Sequence, residues 1–154
     1  MDKPKFVYVI YIATTPEKLW DALTNPQSRT KYWYGMLFEG DMRVGSRLTS
    51  TNSDGTPVAA GQVLECDRPR RLSYTFHPED ERVRHEPTTR VTYELEPVGK
   101  EVRLTVTHDQ FEAGSYLIQG VTIFWPKLLC SLKSWLETGA PLEITHVSQA
   151  GKRP

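Results

Sequence analysis

The feature that most constrains this chain lies near its C-terminus. Leu117, Ile118, Val121, Phe124, Trp125, Leu128, Leu129, Leu132, Trp135 and Leu136 recur there at a helical rhythm. Each such side chain gains roughly 1.5–3 kcal/mol on leaving water, so the stripe demands an apolar surface to lie on. Gly139 stops the helix and Pro141 seals the stop. Pro126 is expected either to kink the helix or to mark the first turn of a shorter one.

The preceding residues supply the surface. Phe6 to Ile12 is β-branched and aromatic throughout, which predicts a strand with both faces at least partly covered. Tyr8, Ile10 and Ile12 share one face. Thr14-Thr-Pro-Glu17 then starts a helix, with Thr14 or Thr15 as the cap. Leu19, Trp20 and Leu23 follow at helical spacing, and Trp20 is expected in the core. Thr24-Asn-Pro26 ends this helix and begins a second, not collinear with it, running to about Trp33. Beyond Gly35 the texture becomes that of a meander, with strands near 36–39, 46–51, 58–66, 71–77, 89–96 and 101–109. Turn signals separate them at Gly40–Gly45, Asn52–Gly55, Asp67–Arg70 and Pro97–Lys100, and a longer polar loop spans Pro78–Pro87. Leu72/Tyr74/Phe76, Val91/Tyr93/Leu95 and Val102/Leu104/Val106 alternate with polar residues, giving one greasy face and one wet face. The order is strand, helix, helix, six strands, helix. A curved antiparallel sheet gripping the terminal helix satisfies every apolar face, which is an α+β architecture.

The 154 residues suit one domain over 1–142, followed by a polar tail over 143–154. Nineteen basic residues balance nineteen acidic ones, which argues against a nucleic-acid clamp or an anionic-membrane binder. The longest apolar run, Phe6 to Ala13, is far short of the ~18 residues that cross a bilayer. With no signal-peptide pattern, the expected compartment is the cytoplasm. Cys66 and Cys130 are expected as free thiols, Cys130 within the apolar helix face or at its edge.

Five stretches carry a family resemblance. They are Tyr11 to Trp20; Asp21 to Pro26 through Tyr32-Trp33; Gly61 to Glu65 with Pro69 to Leu72; Val91 to Glu96 then Val102 to His108; and Trp125 to Glu137. In order and spacing the chain resembles the START-like (SRPBCC, helix-grip) superfamily. Within it, the bacterial branch named after the activator of the heat-shock protein 90 ATPase is the most similar. The resemblance implies a cavity between sheet and terminal helix. It does not imply a reaction, because related domains bind lipids, hormones or polyketides, help chaperones, or assist cyclisation. Eukaryotic chaperone activators also carry a separate N-terminal domain with no counterpart in this sequence, so a chaperone role ranks second.

The chemistry-bearing residues are few. His77, His85, His108 and His146 show no metal-ligand spacing, a meeting of His77, His85 and Glu79 is disfavoured, and no metal or other cofactor is expected. No nucleophile elbow or phosphate loop occurs. Arg68, Arg70, Arg71, Arg82, Arg84 and Arg90 mingle with acids on turns and loops and predict a mixed-sign rim. One or two of them are candidates to anchor an anion at a cavity mouth. His108 continues the inward face of its strand. The expected wall residues are Trp33, Tyr34, Tyr74, Phe76, His108, Trp125 and Leu129, around a small apolar or aromatic ligand. The expected partner is that ligand, with a chaperone as the alternative, and the chain a monomer or homodimer. A third reading is a cyclase or hydrolase using His108.

Overall fold

The computed structural model describes residues 3–143, so the expected tail lies outside the described residues except for Glu143. The elements are β1 (Phe6–Ile12), α1 (Pro16–Thr24), α2 (Pro26–Tyr32), β2 (Leu37–Glu39), β3 (Arg47–Thr51), β4 (Pro57–Asp67), β5 (Arg71–Pro78), β6 (Thr89–Val98), β7 (Glu101–Asp109) and α3 (Leu117–Thr138). The expected order and α+β class are both present.

Local chemistry explains the helix boundaries. Thr15 is the cap of α1, its hydroxyl accepting from Lys18 N at 3.2 Å, with Pro16 at the first helical position. Asn25 is extended, as a residue before proline prefers, and ends α1 while capping α2 by accepting from Gln27 N at 3.0 Å.

The seven strands form one antiparallel sheet in the order β1-β7-β6-β5-β4-β3-β2. Ile10 pairs with Leu104 and Ile12 with Val102, so the inner rows of β1 and β7 are in phase. Gly61 is required where β4 presses on β5: a Cβ there would lie 1.9 Å from the carbonyl oxygen of Thr75. The cover expected at least in part on both faces of β1 is uneven. β1 is an edge strand, and Val7, Val9 and Tyr11 on its outer face are 47, 49 and 45% exposed, because both helical layers pack on the other side. An apolar run recorded side-chain type but not which face would be covered.

α3 is one uninterrupted helix with Pro126 inside it, so the shorter helix starting at Pro126 is corrected. It is anchored at both ends. Glu86, buried in the β5–β6 loop, accepts from Ser115 Oγ at 2.6 Å, Tyr116 N at 2.8 Å and Leu117 N at 3.3 Å. A carboxylate there satisfies orphan N–H groups and complements the helix dipole. At the other end Gly139 takes φ 86° and donates to Trp135 O. Glu137 accepts from Ala13 N, and Lys133 donates to Tyr11 O, tying this half of α3 to β1. Both cysteines are free; Cys130 is exposed, at the edge of the apolar face rather than within it.

Candidate functional site

A cavity of about 330 Å³ lies between the N-terminal half of α3 and the β3–β5 part of the sheet. Leu117, Val121, Phe124 and Trp125 of α3 form its roof. Arg29, Trp33, Met36 and Phe38, from α2 and the segment after it, close one side. Leu48 to Ser50, Val58 to Gly61, and Tyr74 to Phe76 form the floor, with Val91 and His108 behind. The void has a compositional cause: Ser50, Ala59 and Gly61, which share the inner face, put almost no side-chain volume over the floor. Asp80, itself exposed, marks where the wall reaches solvent.

Of the seven expected wall residues, Trp33, Tyr74, Phe76, His108 and Trp125 line this cavity. Tyr34 does not. It sits at φ 56° in the turn after α2, packed on Phe124, with its hydroxyl buried and without a partner among the described residues. Burial pushes its phenol up to about 12. Leu129 is instead fully buried in the solid core.

The imidazole of His108 is 1% exposed and doubly bonded. Trp125 Nε1, which can only donate, gives its proton to Nδ1 at 3.1 Å. That assigns the proton to Nε2, which donates to Thr89 Oγ1 at 2.8 Å; Thr89 in turn donates to Phe76 O at 3.1 Å. Burial lowers the His108 pKa to about 3, outweighing the opposing influence of Asp109. The ring is therefore neutral at physiological pH, has no free nitrogen, and orients Trp125 over the cavity.

Arg29 was missed. It is 2% exposed, yet its guanidinium carbon lies 4.2 Å from the ring centre of Trp33 and 3.4 Å from that of Phe38. The signal was present in the sequence: an arginine one helical turn before Trp33 shares its face. None of the six arginines expected at a mouth lines the cavity. Four of them are engaged in ion pairs: Arg70 with Asp67, Arg71 with Glu65 and Glu94, Arg82 with Asp80, and Arg90 with Asp109. They form the mixed-sign rim that their sequence neighbours predict.

Among polar clusters, His77 bonds Thr88 rather than joining His85. His85, Glu86 and Glu112 bring one donor atom each within 4.8 Å of one another. Both oxygens of Glu86 are already accepting from the start of α3, so this group acts as the helix anchor. Among the described residues, no helix is long and apolar enough to cross a membrane.

The family model described as Activator of Hsp90 ATPase homolog 1-like protein matches residues 13–137. No curated protein matches the chain. Among solved structures, MLL2253 from Mesorhizobium loti is 24% identical with a TM-score of 0.77, covering 87% of this chain and 97% of that one. The Aha1 dimer from Colwellia psychrerythraea is 22% identical with a TM-score of 0.74, covering 88% and 98%. CalU16 from Micromonospora echinospora is 20% identical with a TM-score of 0.72, covering 95% and 82%. At these identities the likeness is one of fold.

Proposed function

The chain belongs to the Activator of Hsp90 ATPase homolog 1-like family, and from that premise we propose that it is a small-molecule binding domain. Its ligand is apolar or aromatic and sits between α3 and the β3–β5 floor. One observation carries this reading: a mostly apolar space of about 330 Å³ that side chains leave open beside the buried core. A void of that size forfeits contacts that a larger residue at Ala59 would supply. A space roofed by Trp125 and walled by Trp33, Tyr74 and Phe76 suits a flat or aliphatic body.

The test uses the neutral fluorescent probe N-phenyl-1-naphthylamine. Saturable one-to-one binding that is lost in Ala59→Leu supports the proposal. No fluorescence gain at any concentration, or equal gain with Ala59→Leu, contradicts it.

A catalytic reading through His108 gains no support, since both ring nitrogens are committed and the ring stays neutral. A protein-interaction reading, with a chaperone or a second copy as partner, has one observation in its favour: the exposed Val7, Val9 and Tyr11 on edge strand β1. That row is one strand wide, because Thr107, Thr105 and Arg103 face it on β7. Lysine at Val9 weakens any assembly through this face and leaves probe binding intact.

A further inference from the structure

The cavity wall holds a cation, Arg29, that no carboxylate among the described residues neutralises. Its buried Nε has no hydrogen-bond partner among those residues. The rings of Trp33 and Phe38, set edge to face, both lie against the guanidinium and compensate its charge only in part. A buried guanidinium without an acceptor costs stability, and an apolar residue of similar volume would avoid that cost. Asp80, the one acidic residue on the wall among the described residues, does not serve. Its Oδ1 accepts from Arg82 N and Nε, and its Oδ2 from Arg82 Nη2.

A second unspent donor lies on the same wall. The hydroxyls of Tyr74 and Tyr93 bond each other at 2.9 Å; Tyr74 lines the cavity and Tyr93 lies buried behind it, so with Tyr93 donating to Tyr74 the Tyr74 proton is left for an acceptor in the cavity. The Arg29 charge pulls the Tyr93 phenol down against the larger upward push of burial, so the two lie within electrostatic range. Both unspent groups are donors. Their complement is a head that only accepts, which describes a carboxylate. One cation favours a monoanion, since a dianionic phosphate would bring a second charge into an apolar space without a partner.

We propose that the cavity is selective for apolar or aromatic monocarboxylates, with Arg29 as the residue that recognises the carboxylate and the Tyr74–Tyr93 pair as an auxiliary donor. This deepens the binding-domain reading and rests on it.

The test is calorimetry at pH 7.5 with two bodies, each offered as acid and as alcohol: 2-naphthoate against 2-naphthylmethanol, and octanoate against 1-octanol. In the wild-type protein each acid binds at least roughly tenfold more tightly than its alcohol, the scale of a hydrogen bond to a charged group. Arg29→Met removes that preference by weakening the acids, leaves the alcohols within about threefold, and melts no lower than wild type. Arg29→Lys, which keeps the charge without the planar fork, recovers part of the preference. Alcohols binding as tightly as acids to the wild type overturn the selectivity and leave the binding-domain reading standing. So does binding of N-phenyl-1-naphthylamine alone. If that probe and all four compounds fail together, the binding-domain reading falls and takes the selectivity with it. The wild-type acid and alcohol pairs decide the matter even if neither variant folds.

Discussion

The two halves of α3 lie on the same sheet and meet opposite conditions. The C-terminal half, with Leu128, Leu129 and Leu132, rests against a layer that includes Ile10, Ile12, Leu19, Val102 and Leu104, all buried. The N-terminal half, with Leu117, Val121 and Phe124, spans the cavity. What differs is the floor. Large aliphatic residues alternate on β1 and β7, whereas Ser50, Ala59 and Gly61 occupy the floor on β3 and β4. The first half holds the helix down so that the second half can bridge a space. Stability and the candidate site are thus separated along one helix.

The largest expected effect tests that separation directly. Leu128→Ala, in the solid half, is expected to cost about 2–5 kcal/mol in urea unfolding. Leu117→Ala, on the same helix but facing the void, is expected to cost distinctly less, because fewer contacts surround the deleted atoms. Equal costs would erase the distinction between the halves.

Next is the pH dependence set by His108. Its folded pKa, about 3, lies below the unfolded value of 6.5. Between those values the unfolded chain binds the extra proton, so stability is lost as pH falls through 6.5 and stops falling from this cause near 3. From pH 8 to pH 5 the expected loss is about 2 kcal/mol, and His108→Gln should flatten the slope in that window. A wild-type profile flat down to pH 5 would mean that the ring is not held neutral beneath Trp125.

The smallest expected effect is at the floor. Ala59→Leu fills empty space and is expected to raise stability by about 0.5–1 kcal/mol while abolishing probe binding. A loss of several kcal/mol would show that the floor tolerates no added volume.

The sequence made the solid half legible and the hollow half only in outline. Leu72, Tyr74 and Phe76, with their counterparts on β6 and β7, show a strict period of two, which fixes both strand and face. The helix starts were equally local, since Thr15 before Pro16 and Asn25 before Pro26 act within three residues. The unfilled floor depends on what is absent from Ser50, Ala59 and Gly61, and small residues carry no periodic signal. Arg29 was hidden by its setting, a short polar helix in which only the one-turn spacing to Trp33 hints at a buried stack. Glu86 sat in a loop of similar charges. Its task of anchoring the start of α3 joins segments about thirty residues apart, which local patterns do not encode. Tyr34 and Leu129 lie close to wall residues in sequence but point elsewhere: Tyr34 because the turn after α2 takes a positive φ, Leu129 because it belongs to the anchored half of α3.

The most direct test of the account uses the four indole N–H signals in a ¹H–¹⁵N spectrum during titration with 2-naphthoate. Trp33 and Trp125 line the cavity, while Trp20 and Trp135 do not. A ligand in the cavity is expected to give saturable shifts for Trp33 and Trp125 with Trp20 and Trp135 nearly still. Four unmoved signals, or four that drift together without saturating, would contradict it.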